Sequence, residues 1–137
     1  MKEENILTLL KEVDLEFHPN LSKKTDLHVF AKKAIEIAHC EYEEDETGNL
    51  KGLVVGYNND IQNGYSYISL VAVSPNCRKQ GIAKKLITQF IAYTKNLIYI
   101  QKIGIHTNNN IALMLYQNIG FEIVSECDGR YYLEYKL

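Results

Sequence analysis

Apolar residues recur every three to four positions near the start of the chain. Ile6, Leu10, Val13 and Phe17 form one stripe at helical spacing, which predicts a first helix. After His18-Pro19-Asn20-Leu21 a second stripe, Leu27, Phe30, Ala34, Ile37 and Ala38, predicts a helix from about Asp26 to Ala38 with those residues inward. The period then changes. A strand near Cys40–Glu44 turns at Thr47-Gly48-Asn49 into Leu50–Tyr57, a hairpin whose turn carries Gly and Asn. The acidic run from Glu41 to Glu46 reads as its solvated edge. Residues 64–73 alternate as a further strand, with Tyr65, Tyr67, Ser69, Val71 and Val73 on one face.

Helical spacing returns from Gln80 to Lys95, burying Ile82, Leu86, Phe90 and Ile91. A strand near Leu97–His106 comes next, and then a helix capped by the asparagine run at 108–110 and ended at Gly120. On that helix Ile111, Ala112, Leu115 and Ile119 share one face, with Tyr116 at its edge. Strands near Phe121–Glu126 and Tyr131–Tyr135, joined at Asp128-Gly129, close the chain. The order is α-α-β-β-β-α-β-α-β-β, an α/β protein with helices flanking the sheet. No linker, repeat or low-complexity tract interrupts it, so residues 1–137 read as one domain.

Composition changes this picture little. Hydrophobic residues make up 46% and charged residues 23%, near globular averages. A net charge of -2 without a basic, aromatic-interleaved stripe points away from nucleic acid. No apolar run approaches the ~20 residues that span a bilayer. The N-terminal stretch is amphipathic rather than a uniform signal core. Three cysteines, Cys40, Cys77 and Cys127, form no C-x-x-C pair and suggest neither a disulfide framework nor a zinc site. A cytoplasmic protein without a metal is the expectation.

The segment Val71-Ala72-Val73-Ser74-Pro75-Asn76-Cys77-Arg78-Lys79-Gln80-Gly81-Ile82-Ala83 carries most of the chemistry. It passes from a strand through a basic turn into a helix. The first four amides of a helix lack internal partners, and the helix dipole adds about half a positive charge there. Gly81 and Ala83 leave the backbone bare, while Arg78, Lys79, Lys84 and Lys85 supply countercharge. A pyrophosphate could lie on such a cradle. Gly81 as an ordinary turn residue and Arg78 and Lys79 as a solvated face is the plainer alternative.

The spacing Arg78-x-x-Gly81-x-Ala83 behind a Val-Ala-Val strand resembles the acetyl-CoA-binding loop of the GNAT N-acetyltransferase superfamily. A second stretch, Asn109-x-x-Ala112-x-x-Leu115-Tyr116-x-x-x-Gly120-Phe121, resembles that superfamily's N-x-x-A-x-x-L-Y-x-x-x-G-F signature in the expected order. The resemblance implies a mixed, mostly antiparallel sheet flanked by helices, beginning here with the first helix. It implies acetyl-CoA as co-substrate and direct transfer of the acetyl group to a primary amine in a ternary complex. Carried over residue by residue, it puts Val71, Val73, Arg78, Lys79, Gln80, Gly81, Ile82, Ala83, Lys84 and Asn109 on the coenzyme. Tyr116 becomes the acid that protonates the leaving thiolate. Locally, Asn109 is as well explained as a helix cap and Tyr116 as a packed aromatic.

Two parts of the chemistry stay open. Ser69 stands where many family members carry a glutamate base. Glu41, Glu43, His18, His106, Tyr57, a water relay and an already neutral amine are the alternatives. The stretch from Phe17 to Lys33 looks like a subgroup found with bacterial polysaccharide enzymes, which suggests an amino-sugar or nucleotide-sugar acceptor. The tyrosines at 57, 65, 67, 131 and 132 could stack on a sugar, or simply pack within the sheet. A non-catalytic acyl-CoA-binding regulator is the second functional reading, and either would be a monomer or homodimer.

Overall fold

A computed structural model describes residues 1–137. Helix α1 (Glu3–Val13) carries Glu3 and Glu4 at its positive end and buries Ile6, Leu9, Leu10 and Val13. Its stripe continues only through a 3₁₀ turn, Asp14–Glu16, to a half-buried Phe17. A one-turn helix that the sequence pattern did not suggest, α2 (Leu21–Lys24), follows. It is pinned by Asp14, whose carboxylate accepts from the Ser22 amide and hydroxyl at 2.8 and 2.7 Å. Helix α3 (Leu27–Glu36) starts at Asp26, whose side chain accepts from the amides of His28 and Val29 at 2.9 and 3.1 Å. The small residues Ala31 and Ala34 face α1 and the sheet. Ile37 lies past the helix end at φ -123° and is exposed, contrary to the inward position its spacing suggests.

Six strands form one sheet in the order β1-β2-β3-β4-β6-β5: β1 His39–Glu44, β2 Leu50–Asp60, β3 Tyr65–Val73, β4 Lys102–Thr107, β5 Glu122–Cys127 and β6 Arg130–Lys136. Only β3 and β4 run parallel. The acidic β1–β2 turn is more than a solvated edge. Asp45 accepts from the amides of Thr47 and Asn49 at 2.8 and 3.0 Å, and Glu43 pairs with Lys51 and Lys85. Strand β4 begins later than its apolar residues imply, because Leu97 and Ile100 donate back to Thr94 and Leu97 in two successive tight turns. The closing turn at Asp128-Gly129 has both residues at positive φ, 51° and 81°, the geometry that suits a two-residue hairpin.

Helices α4 (Ile82–Lys95) and α5 (Asn110–Ile119) cover one face of the sheet, and α1 and α3 cover part of the other. The first core joins Ile82, Leu86, Ile87, Phe90 and Ile91 of α4 to Val54, Ile68, Ile103, Ile105 and Leu133. The second joins α1 and α3 to Leu53, Val55, Leu70 and Ala72.

The alternation along β3 breaks at Ser69. Val55 pairs with Leu70 and Gly56 with Ile68, so Ser69 has no partner on β2 and the strand bulges there. One extra residue exchanges the two faces. Val71 and Val73 pack on the α4 side with Ile68, whereas Leu70 and Ala72 pack under α1. Tyr65, Tyr67, Ser69, Val71 and Val73 therefore do not share a face as strict alternation would require.

Candidate active site

Strands β3 and β4 pair from Tyr65 with Lys102 to Ile68 with Ile105, and pairing stops there. Both strands continue, β3 to Val73 and β4 to Thr107, so they part into a fork at the bulge. Main-chain groups that would have filled a ladder face the gap instead. At the open end stand the N-termini of α4 and α5. This is the crevice beyond the carboxyl ends of parallel strands, where open α/β sheets gather ligand-binding groups.

Around the α4 terminus no amide from Arg78 to Lys84 donates to a protein acceptor; the next, Lys85, donates to the Gly81 carbonyl at 3.1 Å. Lys79 and Gly81 both have positive φ, 63° and 74°. Residues of alternating hand turn successive amides toward one concavity, a geometry suited to anions. A Cβ built on Gly81 meets nothing within 4 Å, so the cradle is open on the ligand side. Gly81 thus leaves the backbone of the loop uncovered, beside amides that no protein group accepts.

The cations depart from expectation. Arg78 turns back, its Nε and a terminal nitrogen donating to the Val73 carbonyl at 3.3 and 3.1 Å, and it pairs with Glu16. It braces the loop against the 3₁₀ turn that follows α1. Lys85 reaches across to Glu43 at 2.6 Å. Lys79 and Lys84 enter no ion pair and remain as mobile charge. Lys84 also borders a cleft of about 280 Å³ between α4 and α5, with Thr88, Ile91, Asn118, Ile119 and Tyr135.

Asn109 caps α5, its Oδ1 accepting from the amides of Ile111 and Ala112 at 2.8 and 3.0 Å. Its Nδ2 group remains able to donate outward. The neighbouring Asn108 donates to the His18 carbonyl at 2.7 Å, tying the chain between α1 and α2 to the mouth of the fork.

Tyr116 is the buried residue of α5, only 6% exposed, rather than an edge residue. Ile111, placed inward by spacing, is 81% exposed. The stripe is rotated because α5 packs through Ala112, Leu113, Leu115 and Ile119 with the Tyr116 ring beneath, 6.0 Å from Phe121. The Tyr116 hydroxyl has no protein partner and is not sealed from solvent. Burial pushes its pKa above the ordinary tyrosine value, with a smaller contribution from Tyr67. The group stays protonated through the physiological range.

On the other face of the fork lies a polar aromatic floor that spacing did not single out as a unit. Tyr67 pairs in register with Gly104, Gly104 with Glu134, and His106 with Tyr132, so these side chains share one face. Tyr65 and Tyr132 hydroxyls meet at 2.7 Å above Gly104, where an added Cβ would lie 2.0 Å from Tyr65 Oη. Tyr132 donates to Glu134 at 2.7 Å, and Lys102 sits 3.2 Å from the same carboxylate oxygen. The Tyr67 hydroxyl and His106 Nδ1 are 2.7 Å apart.

A forked parallel pair with two helix N-termini at its mouth makes a cleft suited to an anionic ligand, and comparison places the chain in a family. The chain belongs to the acetyltransferase (GNAT) family, whose model matches residues 7–121. It is similar to GCN5-related N-acetyltransferase 6, chloroplastic, of Arabidopsis thaliana, 33% identical over 91 residues, covering 61% of this chain and 31% of that one. It is 30% identical over 90 residues to the spermine/spermidine N(1)-acetyltransferase of Bacillus subtilis (strain 168), covering 64% and 59%. The similarity therefore spans less than two thirds of the length of either relative. A GNAT-family acetyltransferase from Staphylococcus aureus Mu50 superposes with a TM-score of 0.78 over 98% of this chain and 92% of its own, at 17% identity. A GNAT-family acetyltransferase from Elizabethkingia anophelis, with acetyl-CoA bound, superposes at 0.65 over 80% and 82%, at 21% identity. The fold is the GNAT fold, and no helix is long and apolar enough to cross a membrane.

Proposed function

We propose that the chain is an acetyl-CoA-dependent N-acetyltransferase, a single cytoplasmic domain that passes the acetyl group directly to a primary amine. The observation that carries this reading is the fork, opened by the Ser69 bulge, with a run of unpartnered amides on one side and the Tyr116 hydroxyl on the other. The pyrophosphate would lie on the Gln80–Lys84 amides, with Lys79 and Lys84 as countercharge. The pantetheine arm would run between α4 and α5, meeting Asn109 Nδ2. The thioester would enter the fork beside Val71, where a main-chain amide aimed at the developing oxyanion is worth about 3 kcal/mol.

Tyr116 would then face the leaving sulfur. A phenol held above its ordinary pKa is a weaker acid than the departing thiol. It donates a hydrogen bond first and a proton only as one is resupplied, so the expected gain is ~10- to 100-fold. Arg78 acts by bracing the loop, not by touching phosphate.

The acceptor is a small amine. An amino sugar remains one reading, supported by the aromatic floor; a polyamine is the other, supported by the named activity of the Bacillus subtilis relative. Calorimetry tests the donor site. Acetyl-CoA should bind the wild type and fail to bind Gly81→Glu, and unchanged affinity in the folded variant would end this reading. An amine panel that yields no transfer despite tight binding would favour an acyl-CoA-binding regulator, whether monomer or homodimer.

A further inference from the structure

The side chain at the family's usual base position, Ser69, has only a hydroxyl, which donates to the Val55 carbonyl at 3.3 Å. Carboxylates that could take its place are committed elsewhere, Asp60 among them, which accepts from the Asn63 amide and side chain. Glu41 is bonded to His39, Glu43 is held by Lys85 and Lys51 at 2.6 and 3.4 Å, and Glu134 is held by Tyr132 and Lys102. Tyr57 lies beneath the Lys33 ammonium, 4.9 Å from the ring centre.

One pair of titratable groups straddles the fork. Tyr67 stands on β3 just before the last paired residue, Ile68, and His106 stands on β4 just after the last paired residue, Ile105. Their side chains are in direct hydrogen-bond contact at 2.7 Å, on the face opposite α4 and α5. A donor entering beneath those helices and an acceptor crossing this face would meet in the gap between them. We propose that Tyr67 and His106 together take the proton from the acceptor amine. This rests on the N-acetyltransferase reading above.

In the step, the bound ammonium passes one proton to the Tyr67 oxygen as that hydroxyl passes its own to His106 Nδ1. The neutral amine attacks the thioester carbonyl, forming the C–N bond, and collapse breaks the C–S bond. The second nitrogen proton replaces the one that Tyr116 gives to the thiolate. The imidazolium returns its proton to solvent, and the net products are amide, thiol and one proton.

Charge around the pair suits this. Tyr67 faces His106 from β3; from β6 come Tyr132, its ring centre 4.7 Å away, and Arg130. Partial burial, and then Arg130, hold the His106 pKa below 6.5, so the ring is neutral and able to accept at physiological pH. The same burial holds Tyr67 protonated, ready to relay rather than ionise.

The test is the pH profile of acetyl transfer from acetyl-CoA, run on the whole chain with spermidine, glucosamine and a lysine peptide as probes. Wild-type kcat should level off from neutral pH, with an acid limb centred below 6.5. His106→Gln should lower kcat at neutral pH by about 100-fold and move the limb toward the amine's own pKa. Tyr67→Phe should lower kcat while leaving the KM for acetyl-CoA unchanged, and imidazole in the buffer should restore part of the activity of His106→Ala. A His106→Gln profile that superposes on wild type overturns the pair's role. So does a uniform, pH-independent loss that imidazole does not repair. Acetyl-CoA binding by the wild type without transfer to any probe instead overturns the N-acetyltransferase reading, and this role falls with it.

Discussion

One face of the sheet changes character along its width. Beneath α1 and α3 it is apolar and closed: Leu53, Val55, Leu70 and Ala72 meet Ile6, Leu9, Leu10, Ala31 and Ala34 with almost no exposure. A few residues away the same face is open and polar, with Tyr67 bonded to His106 and Tyr132 bonded to Tyr65 and Glu134. Strand β3 contributes to both regions, and the Ser69 bulge lies between its two contributions. An inserted residue that looks like a defect in pairing thus separates, on this face, the closed apolar part of the strand from its open polar part. Substitutions in the closed region should act on stability, and those in the open region on rate.

The largest expected effect is in the closed region. Leu53 is fully buried, and Leu53→Ala should cost about 2–5 kcal/mol, through lost transfer energy and a cavity the two alanines cannot fill. Chemical denaturation reads this directly. A loss below ~1 kcal/mol would mean that the α1/α3 layer repacks easily and that the contrast is overstated.

Next comes the cradle. Gly81→Glu adds a carboxylate at a position with φ 74° and open space around its Cβ, so the penalty to folding is about 1–2 kcal/mol of backbone strain. Its effect on acetyl-CoA should be far larger, at least ~100-fold in affinity, because like charges meet. Binding is also visible as stability: ligand at ~100 times its Kd should add about 2.7 kcal/mol to the wild type and almost nothing to the variant. Equal protection of both proteins would remove the pyrophosphate from this loop.

Tyr116→Phe should be smaller still. The ring and its contact with Phe121 remain, so stability should hold while turnover falls ~10- to 100-fold with little change in acetyl-CoA affinity. Wild-type turnover by the phenylalanine variant would make Tyr116 a core residue only.

Much of this was legible in the sequence, unevenly. Element types followed from period, the loop from its glycine and small residues, and the α5 start from Asn109, because each signal is local. What was hidden depends on partners far along the chain. Arg78 reads in the sequence as countercharge for an anion, and nothing near it announces Glu16 and the Val73 carbonyl as partners. Ser69 marked a missing base, but its lack of a partner is a property of β2–β3 register, which periodicity does not encode. The Ile111 stripe failed because α5 rotates to bury one large ring. The Tyr67–His106 contact joins residues 39 apart across a parallel pair, and nothing in either neighbourhood announces it.

The smallest effect should come from Tyr132→Phe, at the centre of the open floor. The change deletes a hydroxyl that bonds Tyr65 and Glu134, all three groups being only half-buried, so the loss should stay within about 1 kcal/mol at neutral pH. Its pH dependence is the sharper reading. Burial would raise the Glu134 pKa, but the hydrogen bond from Tyr132 and the Lys102 contact outweigh it and hold the value below the ordinary 4.5. A depressed carboxylate contributes stability above its unfolded pKa and loses it as pH falls through the folded one. Without Tyr132's hydroxyl the folded value moves back toward 4.5, and that contribution shrinks. Wild type and Tyr132→Phe should therefore differ most above pH 4.5 and converge below it in denaturation experiments. A gap that persists or widens on acidification would show that the Tyr132 hydroxyl acts through Tyr65 and not through the Glu134 charge.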